Sequence, residues 1–557
     1  MVSYEAERRG VWSHEEAPEN SPTARRRRTP LLRFARSRGR LTGMPVLALV
    51  YPSIALAELI DPLVMGGGRE PDAVLADVAT ELQPYLDLLS SDDAQSDAVD
   101  EDWYWAAPIL LDLMTHEAET LTWLGDDSRL QFWGVEPDEE ASGAADEETA
   151  VDGDDGTESE ARPTGSAFAE HVERVREVLR GAHQLGRQPP ELAMVLARMA
   201  LAAPGVTALR ALARICGGRR ALLDGDVRTA AARIAWAYRN LFSAPEPMAI
   251  VRGLKEQEDG ALPYWRQVLR YGVDGCLQAV LDEYVHILRE SQGLLDESPD
   301  DVAEVVSRVL VDVMSLRTAS LRADAPQVAA DGSRITIDRR SMRAHYALRF
   351  GDERTETGET LTRSGTVREA FNSPFWPFVL ATTSMGQEGL DFHCYCHAVI
   401  HWNLPSNPVD LEQREGRVHR YKGHAVRKNV AKRYGLRGVL EGASDESLQD
   451  PWDVLFDRAR RERSSDANDL VPFWIYPLEG GARIERYVPA MPLSKDDARL
   501  EALVRSLVVY RAAIGQPRQQ DLVEYLVRHL TPDEVAAVVD EVRIDLSPPG
   551  VSPVNRA

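Results

Sequence analysis

The chain has 557 residues, 44% of them hydrophobic and 27% charged, which allows three or four domains of roughly 150 residues with sizeable cores and excludes a small disulfide-stapled scaffold. Its formal charge of −25 argues at face value against a nucleic-acid partner. The charge is uneven, however: the 12 acidic residues between Glu136 and Glu160 have no basic residue among them, so about half of the total describes one segment rather than a binding surface.

In chain order, residues 1–43 read as a mobile basic arm. Eight arginines and no acid lie between Ser21 and Gly43, a composition suited to phosphate contact and equally to plain solvation. Residues 44–133 read as a strand plus a helical segment, the strand being Met44 to Tyr51 (MPVLALVY), an apolar run bounded by Gly43 and Pro52. Residues 134–165 are acidic, with Gly, Ala, Ser and Thr and no aromatic residue, and read as a disordered linker, since such a segment buries too little to offset chain ordering. Residues 166–330 read as an α-helical domain on a period near 3.6, with Leu277, Leu281, Tyr284 and Leu288 on one face. Four cysteines (Cys216, Cys276, Cys394, Cys396) are too few for a disulfide framework and point to a reducing compartment. The N-terminus has no apolar leader, and Pro52, Glu58, Asp61, Pro62, Arg198 and Arg210 break the apolar windows, so the expectation is a cytoplasmic protein without a membrane span.

The pattern changes in residues 331–440. HYALRFG, FVLATTS and HAVIHWN are short runs of strand formers between polar or helical segments, which predicts βα units around a parallel sheet and an α/β fold class with large, mainly helical flanks. Asn407 can cap a helix with Pro408 in its first turn, and on that helix Gln413, Arg417 and Arg420 fall at i, i+4 and i+7, on one face. Two guanidiniums and an amide pointing one way suit a phosphate gaining charge in phosphoryl transfer, and Gly416 beside them allows close approach. Upstream, the FVLATTS strand ends in Thr382, Thr383 and Ser384 and runs into a loop with Gly386, Gly389 and Asp391. Ligands bind beyond the carboxyl ends of strands in open α/β sheets, where hydroxyls and loop amides can hold a nucleic-acid phosphate and Asp391 can accept from a ribose hydroxyl. Residues 441–557 read as a mainly helical accessory region: Arg499 to Ala513 is helical and stops at Gly515, and Thr531, Pro532 and Glu534 form the start of another helix.

At these residues the chain resembles the second RecA-like lobe of superfamily 2 helicases, particularly the Swi/Snf-type ATPases and the bacterial RNA-polymerase-recycling ATPase. TTSMGQEGLDF looks like their motif V and QREGRVHR like their motif VI, with WNLPSNPVDLEQR between. The resemblance implies ATP hydrolysis, with Mg2+, stimulated by DNA or RNA and coupled to unwinding or translocation. It implies Arg417 and Arg420 as arginine fingers, Gln413 positioning them, Gly389, Asp391 and Gly416 near the nucleotide, and Thr382, Thr383 and Ser384 against the nucleic-acid backbone.

One departure limits this reading. Lys255, Lys422, Lys428, Lys432 and Lys495 follow Leu, Tyr, Arg, Ala and Ser, so none of the five lysines can sit in the Gly-Lys-Ser/Thr of a P-loop. No DExx box follows an apolar strand upstream. The expectation is a C-terminal lobe that needs a separately encoded or missing N-terminal RecA-like lobe and is a poor ATPase alone. The alternative is a non-catalytic nucleic-acid-binding remnant or regulatory module, since Arg414 to Arg437 carries nine basic residues and one acid. His393, Cys394, Cys396, His397 and His401 crowd nine residues, but their spacing is unlike that of structural zinc sites, and no metal is expected there.

Overall fold

The computed structural model describes residues 31–34, 36, 37, 40–66, 69–89, 98–127, 129, 164–180, 185–253, 262–315, 319–328, 335–344, 368–375, 377–381, 391–442, 448–464, 469–489, 494–512, 519–531, 533, 534 and 537. They fall into two compact units, one drawn from Met1–Ser315 with Ala443–Trp452, the other from Leu316–Gly442 with Asp453–Ala557.

The first unit is helical. The run expected as a strand is instead a 3-10 turn over Met44–Val46 followed by α1, Leu47–Val50. Every residue of α1 is buried, and a run that is apolar on all sides has no periodicity to separate a core strand from a core helix. Then come α2 (Ile54–Leu59), α3 (Pro71–Leu89), α4 (Trp103–Thr115), α5 (Glu117–Gly125) and α6 (Thr164–Leu179). They are followed by α7 (Leu192–Ala202), α8 (Pro204–Ile215), α9 (Gly225–Phe242), α10 (Tyr264–Asp274), α11 (Leu277–Ser291) and α12 (Pro299–Met314). The predicted face of α11 is buried as expected, but Gln278, Asp282 and His286 are buried with it.

Three expected boundaries move. The basic arm does not end at residue 43: Leu32 and Phe34 are buried, Phe34 stacks on Trp236 with ring centroids 5.5 Å apart, and Gly43 N donates to His171 Nε2 at 3.2 Å. Apolar residues among the arginines anchor this stretch, while residues 1–30 lie outside the described set. The acidic linker gives way to α6 at Thr164, its residues 134–163 also lying outside the described set. The helical domain ends with α12 at Met314, and a strand stands where helix was expected up to residue 330.

The core of the first unit holds paired charges. Asp112, fully buried, accepts from Ser53 Oγ (2.7 Å), Tyr51 Oη (2.8 Å), Ala55 N (2.8 Å), Ile54 N (3.1 Å) and Arg228 Nη2 (2.7 Å). One carboxylate thus satisfies two amides at the start of α2 and neutralises a guanidinium that lies 4.5 Å over the Trp123 ring. Arg210 plays the converse part, donating to the Leu56, Ala57 and Ala200 carbonyls at the ends of α2 and α7. Among the described residues no single helix is long and apolar enough to cross a membrane.

The second unit begins with β1 (Ala319–Val328) and β2 (Ile335–Ala344), an antiparallel pair in register from Ala319↔Ala344 to Val328↔Ile335. There follow β3 (Ala398–Ile400), α13 (Pro408–Gly416), α14 (His424–Gly442), α15 (Pro451–Arg461), β4 (Glu485–Tyr487), α16 (Asp496–Ala512) and α17 (Gln519–His529). β3 and β4 pair in parallel, Ala398↔Glu485 to Ile400↔Tyr487. The expected strand in HAVIHWN is present, with its partner 87 residues on, from the region expected to be a separate accessory piece. That region also supplies α16, whose Leu503 and Leu507 close a core with Leu404 and Leu411. Of FVLATTS, residues 378–381 form no strand, and Phe378 and Val379 are 62% and 79% exposed, which removes the burial a central strand requires. HYALRFG and Thr382 to Ser384 lie outside the described residues. The capping box at Thr531 and Glu534 forms as expected, Thr531 N donating to Glu534 Oε2 at 2.8 Å.

Candidate nucleotide and nucleic-acid site

The start of α13 is set locally. The Asn407 side chain accepts from Asp410 N at 2.8 Å and Pro408 occupies the first turn, where its missing N–H costs nothing. Leu411, fully buried, fixes the inward face. The helix ends at Gly416, so Arg417 is its C-cap and Arg420 lies beyond it. The expected single helical face of Gln413, Arg417 and Arg420 is therefore corrected: only Gln413 is helical, and it is exposed. The chain turns because Val418 N bonds to Glu415 O (3.1 Å) and the Val418 side chain enters a small core with Phe371 and Phe392.

That turn brings the two expected motif segments side by side. Phe392 N donates to Arg417 O (2.9 Å), His424 N to His393 O (2.9 Å), and Arg420 Nε to Asp391 Oδ1 (2.8 Å). Asn372 holds the first segment from its other side, donating to Asp391 O at 2.8 Å. Arg427, buried in the first turns of α14, donates to Lys422 O at 2.6 Å and also to Cys394 O, closing the clamp over both segments. Asn372 and Arg427 are not marked by any local pattern in the sequence: the bonds that tie them to the first segment reach Asp391 and Cys394, 19 and 33 residues away.

Other expected residues are placed as follows. Asp391, expected on a ribose hydroxyl, has Oδ1 on Arg420, with side chains 49% and 40% exposed. Gly416 is not crowded: a Cβ there would meet only Arg420 Nη1, at 3.8 Å, so the close approach expected of it is not required by the protein's own packing. Thr382, Thr383, Ser384 and Gly389 lie outside the described residues. Among the described residues, His393, Cys394, Cys396, His397 and His401 supply no trio of ligand atoms within 4.8 Å of one another. His397 instead stacks on His424, and burial, with Arg427 alongside, pushes the His424 imidazole down to about 4.

The basic run is divided by burial. Lys422 adopts a left-handed backbone (φ +45°), and its ammonium lies 4.4 Å over the Phe456 ring, with Tyr421 and Phe473 also close. Lys422 and Arg427 thus belong to the fold, while Lys428, Lys432, Arg433 and Arg437 are exposed.

Glu415 ties the end of α13 to the sheet. Arg486 of β4 forks onto it, Nη2 to Oε2 at 2.8 Å, and His401, buried after β3, lies 3.2 Å from Oε1. Burial alone would raise this carboxyl, but the hydrogen bonds from His401 and Arg486 outweigh it and hold it down at about 2. A carboxyl depressed on folding contributes stability above its unfolded value near 4.3 and loses it as pH falls towards 2. Calorimetry of the full chain is expected to show a larger acid-induced loss between pH 5 and pH 3 in the wild type than in Glu415→Gln; identical acid limbs would rule out the linkage.

Residues 362–422 match the family described as the helicase conserved C-terminal domain. Comparisons with curated proteins and with solved structures give no match. The matched span contains Asp391, Gln413, Gly416, Arg417 and Arg420, and its β3 forms a parallel pair of the kind a RecA-like lobe is built from. Residues 362–422 are thus similar to the helicase conserved C-terminal domain, and this similarity supports a helicase-family C-terminal module within the second unit.

Proposed function

We propose that this domain acts as the second lobe of an ATP-dependent Swi/Snf-type helicase or translocase on DNA or RNA. In this reading Arg417 and Arg420 act as arginine fingers towards a nucleotide held, with Mg2+, by a P-loop lobe supplied from outside these 557 residues. Gln413 positions them, Gly389, Asp391 and Gly416 lie towards the nucleotide, and Thr382, Thr383 and Ser384 face the nucleic-acid backbone. A cytoplasmic setting accords with four free thiols.

The observation that carries the proposal is the Arg420–Asp391 pair, which puts a fork-shaped donor from the second motif against a carboxylate from the first. An ion pair this exposed is worth at most about 1 kcal/mol, so a phosphate gaining charge can draw the guanidinium away at small cost. The residues present fit the phosphate side of a nucleotide site, and none of the five lysines fits a P-loop. Purified chain with Mg2+, ATP and either nucleic acid is expected to show no turnover above background. Robust stimulated turnover without a partner would overturn this division of labour.

A further inference from the structure

We propose that the exposed face of α14 is a nucleic-acid backbone-binding surface formed by Lys428, Lys432, Arg433 and Arg437, separate from the two motif segments; the proposal rests on the helicase-lobe reading.

Between Gly416 and Leu440 the chain contains no acidic residue, yet burial sorts its cations into two groups. Arg427 and Lys422 are turned inward on carbonyls and aromatic rings, and Val426, Asn429 and Val430 are buried on the same helix. From Lys428 to Arg437 the exposed positions are all basic. Asn429 fixes this orientation by donating to Tyr476 O (2.8 Å) and Ala482 O (2.9 Å) and accepting from Ala482 N (2.6 Å), which pins the 476–482 turn to the inner face.

The turn also presets one cation. Lys432 Nζ donates to Gly480 O at 2.6 Å, leaving two of its three donors for solvent or a phosphate. Lys428 and Lys432 are one turn apart, about 6 Å along the axis, a spacing that follows successive phosphates of one strand, and Arg433 adds a charge on the adjoining flank of the helix. Arg437 lies past the break at Gly435 and is 88% exposed; its pair with Glu441 (3.3 Å) is a surface contact a phosphate can replace.

Phosphodiester backbone is common to DNA and RNA, and the test separates them. Binding of the full chain to labelled 30-nucleotide single-stranded DNA, the corresponding duplex and the same RNA is measured across a salt series. The triple variant Lys428→Glu, Lys432→Glu, Arg433→Glu is compared with Arg505→Glu, an exposed position on α16. All four positions are at the surface, so circular dichroism should be unchanged. The triple variant is expected to bind at least ~30-fold more weakly, with the slope of log affinity against log salt reduced by about two to three, while Arg505→Glu changes little. The substrate that the wild type binds most tightly at equal salt identifies the nucleic acid. Wild-type binding that survives triple reversal would overturn the surface alone, whereas a wild type that binds none of the three would overturn both the surface and the reading it rests on.

Discussion

Arg420→Ala is expected to lower nucleic-acid-stimulated ATP turnover by about 10³-fold or more when the chain is combined with a P-loop lobe, the magnitude attached to arginine fingers in phosphoryl transfer. The loss should be catalytic rather than structural. Arg420 is 40% exposed on its side chain and its principal bond is to a half-exposed Asp391, so the melting temperature should scarcely move. Arg420→Lys keeps the charge and loses the fork, and should recover only part of the rate. Asp391→Ala leaves the guanidinium in place without its resting partner, and its effect should be far smaller than that of Arg420→Ala. Equal turnover in wild type and Arg420→Ala would remove the finger role.

The largest stability effect is expected at Asp112, in the helical unit. Asp112→Ala deletes the acceptor of two α2 amides and two hydroxyls and leaves the Arg228 guanidinium, 1% exposed, without its counter-charge. Breaking a buried pair from one side costs about 3–5 kcal/mol, and the lost amide acceptors add to it. The burial of Tyr51 and Trp123 around this pair gives a readout, since their near-ultraviolet dichroism should fade with it. Replacing both partners, as Asp112→Ala with Arg228→Met, removes the stranded charge and should regain part of the loss. Urea unfolding of the three proteins checks this; a single variant as stable as the wild type would show that the pair is not what holds α1, α2 and α9 together.

What could be read in the sequence was local. Asn407 and Pro408 start α13, Thr531 and Glu534 form their box, and the apolar face of α11 is buried, because each depends on residues within a few turns of one another. The strand in HAVIHWN was legible for the same reason, but its partner β4 was not, being 87 residues away and only three residues long. The arginines were found by type and misplaced by geometry. A helical wheel extends Pro408–Gly416 through Arg420, whereas the helix ends at Gly416 and Val418 packs with Phe371 and Phe392. The result still brings Arg420 to Asp391, through a loop instead of a helix face. The basic run from Arg414 to Arg437 looked uniform; only burial shows that Lys422 and Arg427 hold the loop while Lys428, Lys432, Arg433 and Arg437 face water.

The second-lobe assignment meets its most direct test in a titration: a fixed concentration of a P-loop and DExx-bearing first lobe, Mg2+, ATP and nucleic acid, with increasing amounts of this chain. The predicted result is turnover that rises from background to a plateau as the chain is added, and that stays at background when the added chain carries Arg417→Ala and Arg420→Ala. Turnover that ignores the chain, or that rises equally with the double variant, would contradict it.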